Sequence, residues 1–228
     1  MHRFDTPKIR IAKRTSSYIR LREPFASASH LLGAFAGILG AIYLVRSSNG
    51  SDGSVYAILS YCLPLISVFL VSGLFHGLHC SERTLSKLER LDYAAIYLFI
   101  AGTYTPVCLF VMRSPLGTGL LIGEWALALI GIWLALTRGP SSRSIQVCIY
   151  LGMGWAFLFA LPSLSQALSP LAFELLILGG VFYSVGAVIF AFNWPHLLKT
   201  NLSAHDIWHA FVLLGSASHF AFVAQVIS

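Results

Sequence analysis

Apolar residues gather into seven stretches, each approaching the roughly 20 residues of helix needed to cross the hydrocarbon core of a bilayer. They fall at about 25–45, 54–75, 92–112, 117–136, 145–161, 171–191 and 206–226. The runs between them carry the punctuation of loops: "RSSNGSDGS", "RSPLG", "TRGPSSRS" and "SLSQALSP". The pattern predicts an all-α fold, a seven-transmembrane helix bundle, with residues 1–24 as a basic tail and 25–228 as one membrane domain. The tail is too basic and too broken to read as a cleaved signal peptide, because no apolar core precedes a small-residue cleavage site.

Composition agrees with this reading. The chain is 57% hydrophobic and only 11% charged, with a mean hydropathy of +0.76, where soluble domains carry about a quarter charged residues. The net charge of +6 bears on topology. With the N-terminus inside, 13 of the 15 lysines and arginines fall in the tail or in the loops of that same side, leaving Arg46 and Arg113 outside. The expected orientation is therefore N-terminus cytoplasmic and C-terminus outside. The basic balance then points to anionic headgroups, not to nucleic acid. Cys62, Cys80, Cys108 and Cys148 show no CxxC spacing and imply no disulfide.

The polar residues inside the apolar stretches do not scatter evenly. Span 2 ends in "VSGLFHGLHC", which places Ser72 and His76 one above the other at i, i+4. Span 3 is read as beginning at "LDYAAIYLF", with Asp92 at its mouth, where the helix dipole favours a carboxylate. Span 7 opens with His205 and His209, again at i, i+4. In the expected topology all five reach one depth on the inner side. Three imidazoles are the donor set of many catalytic zinc sites, which keep a fourth position for water. His76, His205 and His209 are thus candidate metal ligands, with Asp92 as base for the water and Ser72 beside it. Charged and polar groups at membrane depth are costly unless paired, which makes such a cluster a functional candidate.

Nearby groups read differently. His79 and Cys80 are ligand types, but are expected beyond the helix end, in the loop. Asp206 makes "HDIWH" similar to the H-E-x-x-H helix of zinc proteases. The shorter aspartate would have to reach the water from within the ligand helix, so Asp206 is read as a bystander. His30 is a candidate neighbour of the metal, His219 a hydrogen-bonded packing residue, and Trp208 a packing residue. Glu124 is expected to pair with a neighbouring helix, and Glu174 to reach the outer interface. Trp125, Trp155 and Trp194 are expected at headgroup level, and Pro106 is expected to kink span 3 near the cavity above Asp92.

"SGLFH", "LDYAAIYLFIAGTYTPVCL", "GGVFYSVGAVIFAFNWP" and "SAHDIWHAFVLLGSASHF", in this order, resemble the signature blocks of the haemolysin III family and its eukaryotic relatives, the progestin and adipoQ receptors. The resemblance covers about 200 residues. It implies a seven-helix bundle in which Ser72, His76, Asp92, His205 and His209 surround a zinc ion on the cytoplasmic side. Glu23 and His30 resemble the opening E-x-x-N-x-x-x-H of bacterial members, with Ala26 and Ser29 departing from it. Tyr93 after Asp92 is the eukaryotic pattern. The short tail is similar to that of prokaryotic members, which implies a multi-pass protein of the bacterial inner (plasma) membrane.

The family's likeness to membrane-embedded ceramidases implies hydrolysis of a lipid amide, with membrane lipids as partners. Two other readings stay open on the residues: a sensor or regulator of membrane state held together by a structural zinc, and a pore. Against the pore, the polar residues cluster at one end and do not line a path. A catalytic site needs an open fourth ligand position and a lipid-sized cavity, for which Gly73, Gly77, Ala94 and Ala95 are either space-makers or, equally, close-packing surfaces.

Overall fold

The computed structural model describes residues 21–48, 50–194 and 203–227. The tail expected over 1–24 lies, up to residue 20, outside the described residues. The rest is helical, with no strand among the described residues. The helices are α1 (Pro24–Ser47), α2 (Asp52–Gly77), α3 (Glu82–Pro106), α4 (Pro115–Arg138), α5 (Arg143–Gly154), α6 (Leu161–Ala167), α7 (Pro170–Phe192) and α8 (Ala204–Ile227). Among the described residues seven segments are long and apolar enough to cross a membrane, the fifth running through α5 and α6 together.

Local chemistry sets the ends. Ser51, Ser81, Ser114 and Ser169 each accept a hydrogen bond from the backbone N–H three residues on, capping α2, α3, α4 and α7. Pro115 and Pro170 follow two of those caps, at a position whose N–H has no helical partner anyway. Asn193, left-handed at φ 49°, ends α7.

Two crossings depart from the sequence expectation. The third helix begins at Glu82, ten residues before the apolar stretch. Its first two and a half turns, "ERTLSKLER", are polar and escape a hydropathy window, yet Ser81 caps them as firmly as any other start. Asp92 therefore lies well inside α3, and the helix-dipole argument for it does not apply. The fifth crossing continues through part of the expected loop "SLSQALSP" to Ala167 but is broken, with a 3₁₀ turn at Ala156–Ala160 between its two halves. Pro162 explains the break, since its ring would clash with the carbonyl four residues earlier in an unbroken helix. The hydroxyl of Tyr104 serves backbone groups freed there, donating to the Met153 carbonyl (2.7 Å) and accepting from Phe157 N–H (3.1 Å).

In the bundle α1 packs on α2, α2 on α3, α3 on α4 and α7 on α8, and α1 closes against α8. Close seams depend on small residues. Pro64 in α2 leaves the Ser60 carbonyl without its helical partner, and Gly102 of α3 lies against it; a Cβ there would stand 2.6 Å from that oxygen. Gly73 and Gly77 face Leu31 and Ser27 of α1, so they are close-packing positions and not space beside the site.

The two ends of the bundle are built differently. At the end where α1 finishes and α2 starts, Leu44, Ile58, Leu164, Phe222 and Val223 are fully buried in an apolar core. At the other end, where α1 begins, α2 finishes and α8 begins, stand the buried histidines and a cavity of about 370 Å³. Pro106 belongs to the first end. It lies about 21 Å along α3 from Asp92 at 1.5 Å per residue, does not line the cavity, and is followed by a π turn at Val107–Val111.

Candidate metal centre

The last turn of α2 carries His76, and its exposed carbonyls need partners, as at any helix end. The segment before α1 supplies them. Arg22 N–H donates to the Gly77 carbonyl (3.3 Å) and Glu23 N–H to that of His76 (2.9 Å). The Arg22 guanidinium donates to the Phe75 carbonyl (2.7 Å) and lies over the Phe75 ring. One turn deeper, Ser27 Oγ donates to the Gly73 carbonyl (2.8 Å). The result is a fixed position for His76, which is only 2% exposed.

The start of α8 is set by Ser203 and Asp206. The Asp206 carboxylate accepts from Ser203 N–H and from Ser203 Oγ, both at 2.8 Å, while Asp206 N–H donates back to Ser203 Oγ at 3.1 Å. This is a reciprocal helix cap. Asp206 is thereby assigned a role, as the brace of the turn that presents His205 and His209, and it is not a member of the histidine group.

His76, His205 and His209 come together, each offering one ligand atom, with these atoms all within 4.8 Å of one another. Their rings lie 4.6 to 4.8 Å apart, centroid to centroid. The outward nitrogens are engaged: His76 Nδ1 donates to Glu23 Oε2 at 2.8 Å, and His209 Nδ1 lies 2.8 Å from His30 Nε2. His205 Nδ1 points toward the same Glu23 oxygen at 3.7 Å. That leaves Nε2 of each ring for the centre, where the Nε2 atoms of His205 and His209 stand 3.1 Å apart. Two lone-pair nitrogens at that distance need a proton or a cation between them. Ligands about 2.0–2.1 Å from a tetrahedral zinc would be about 3.3–3.4 Å apart, so the donor set and this spacing both fit a metal ion.

Asp92 and Ser72 line the same cavity, from α3 and α2. Both stand outside the group of three ligand atoms. Beyond them the cavity runs between apolar side chains such as Val68, Phe99 and Leu151, and reaches Tyr183 and His219. These walls are mainly apolar, as in small-molecule sites generally.

Other expected residues fall as follows. His79 and Cys80 lie past the end of α2, and neither lines the cavity. His219 Nε2 hydrogen-bonds the Leu176 carbonyl at 3.2 Å. Trp208 stacks on Phe190, and Glu174 is exposed. Two expectations are corrected. Trp125 and Trp155 are not merely headgroup anchors, because their Nε1–H groups donate to Thr105 Oγ1 (3.1 Å) and Ser184 Oγ (2.8 Å) on other helices. Glu124 is 3% exposed, but its Oε2 has no hydrogen-bond partner among the described residues, where a pairing across helices was expected. Sequence reasoning named Glu23 only as a motif letter, and His30 as a motif letter and a candidate neighbour of the metal. Their seven-residue spacing, which puts both on one helical face, was the available signal.

Known proteins are similar to this chain over most of its length. The model of the family described as haemolysin-III related matches residues 18–220. The chain is 37% identical over 203 residues to Hemolysin-3 of Bacillus cereus, covering 88% of this chain and 90% of that protein. It is 34% identical over 203 residues to the Hemolysin-3 homolog of Bacillus subtilis (strain 168), covering 88% and 92%. A more distant relative, at 26% over 198 residues, is the monocyte to macrophage differentiation factor of Homo sapiens, with 84% and 79% covered. The chain belongs to the haemolysin III family and is a multi-pass integral membrane protein.

Proposed function

We propose that this haemolysin III family protein is a zinc-dependent hydrolase of lipid amides, with its site at the cytoplasmic face of a bacterial plasma membrane. The observation that carries the reading is the convergence of three imidazole nitrogens on the polar end of a cavity that is otherwise apolar. His76, His205 and His209 hold the metal. Zinc, when bound, supplies a Lewis acid that polarises a carbonyl and acidifies water. Asp92, with Ser72 beside it in the cavity, takes the proton from the attacking water and returns it to the departing amine nitrogen. The C–N bond breaks, and a carboxylic acid and an amine leave. The apolar walls align the acyl chain so that the amide lies at the polar end.

The positive-inside distribution supports the orientation, and the substrate and product are bilayer lipids; nucleic acid has no part in it. A pore agrees less well with the apolar core that fills the opposite end of the bundle. The test uses purified protein in vesicles containing an N-acyl lipid, with released fatty acid measured by mass spectrometry. Release by the parent, lost in Asp92→Asn while zinc is retained, is the expected result. Zinc binding without release from any lipid amide would overturn the hydrolase and leave a metal that braces α2 and α8 in a sensor.

A further inference from the structure

We propose that α1 provides the outer shell of the metal centre, with Glu23 as the positioning residue for His76 and His205, and His30 as that for His209. The inference rests on the metal reading above and assigns the residues that set its ligand geometry.

Glu23 occupies the N-cap position of α1, yet its side chain makes no capping hydrogen bond. It grips His76 twice instead. Its backbone N–H donates to the His76 carbonyl at 2.9 Å, and its carboxylate accepts from His76 Nδ1 at 2.8 Å. One residue thus fixes both the backbone and the ring orientation of another that lies 53 positions away. The same Oε2 is 3.7 Å from His205 Nδ1, so one carboxylate oxygen faces two candidate ligands. Two turns further along α1, buried His30 reaches the third. Its ring lies 4.1 Å from that of His209, centroid to centroid, and is backed by Phe69 at 5.0 Å.

The chemical consequence is a choice of tautomer. With Nδ1–H of His76 given to a carboxylate and Nδ1 of His209 occupied by His30, the free lone pairs lie on Nε2, facing the centre. A carboxylate behind an imidazole also raises its basicity as a ligand. His205 is the least held of the three, since its carboxylate contact is the longest and its side chain is 36% exposed.

The experiment measures zinc affinity of the full-length protein in detergent by chelator competition, together with the visible spectrum of the cobalt-substituted form, which reports ligand geometry. The variants are Glu23→Gln, Glu23→Asp, His30→Leu and His30→Asn, with Arg22→Ala as control. Arg22→Ala loosens the segment from the Phe75 carbonyl and removes the 3.3 Å ion pair to Glu23 Oε1, but keeps the carboxylate and its Oε2 contact with His76. Outer-shell losses weaken metal binding by about 10- to 100-fold. Glu23→Gln and His30→Leu are expected in that range with altered cobalt bands, Glu23→Asp and His30→Asn nearer the parent, and Arg22→Ala within about 3-fold of it. Parent-like affinity and spectrum in both Glu23→Gln and His30→Leu would overturn the proposal while the metal centre stands. So would Arg22→Ala weakening zinc as much as Glu23→Gln, because the segment's attachment would then be the cause. A parent that binds no zinc would overturn the metal reading, and this inference with it.

Discussion

Replacing Asp206 with alanine separates a helix brace from a catalytic carboxylate. Asp206 accepts two hydrogen bonds from Ser203 and donates one to it through its backbone. Losing an N-cap side chain costs about 0.5–2 kcal/mol, and the exposed setting of this one puts it in the lower half, about 1 kcal/mol. That corresponds to a roughly 5-fold change in a local folding equilibrium. His205 is in the first turn and frays with it, whereas His209 is a turn deeper and is held from behind by His30.

Asp206→Ala should therefore keep one zinc per chain, weaken it by no more than about 5-fold, and lower the thermal midpoint in detergent by about 2–4 °C. Ser203→Ala should do nearly the same. The double variant should be little worse than either, because both remove one shared cap. The assay is zinc competition and thermal unfolding on all four proteins. Zinc loss in Asp206→Ala as complete as in His209→Ala would make Asp206 a ligand. Fully additive effects in the double variant would show that the two residues act separately. Either result would refute the bracing role.

Gly102→Ala should destabilise the protein by about 1–3 kcal/mol, the cost of overpacking, because its Cβ would meet the Ser60 carbonyl that Pro64 leaves free; thermal unfolding checks this, with Gly119→Ala as a control, since a Cβ there meets nothing within 4 Å. Glu124→Leu should raise the thermal midpoint by a few degrees. It removes a buried carboxyl oxygen without a partner, an arrangement that costs about 1–3 kcal/mol, while zinc content stays unchanged. Asp92→Asn should leave zinc stoichiometry intact and reduce lipid-amide release by about 10²–10⁴-fold, the range for loss of a general base.

Much of this architecture was legible in the sequence, for physical reasons that also mark where legibility ends. Spans of about 20 apolar residues leave little choice of fold in lipid, and an i, i+4 pair such as His205 and His209 shares a face whatever surrounds it. The start of α3 was missed because Glu82 to Arg90 is polar, and its helix is declared by a serine cap and not by hydropathy. The break in the fifth crossing was missed because the groups that make it tolerable come from Tyr104, about 50 residues earlier. Glu23 and His30 escaped a full reading because their partners stand 53 and 179 residues away. Nothing local in the chain announces a contact of that range. Trp155 was read as an interfacial anchor from its place near an expected helix end, but the crossing continues past it and its indole turns inward to Ser184.

The central claim is that His76, His205 and His209 hold a metal, and zinc per chain tests it most directly. Elemental analysis of detergent-purified protein, prepared without chelator, should give close to one zinc in the parent and in His79→Ala, and little in His76→Ala and His209→Ala. A metal-free parent, or zinc retained in both His76→Ala and His209→Ala, would contradict the account.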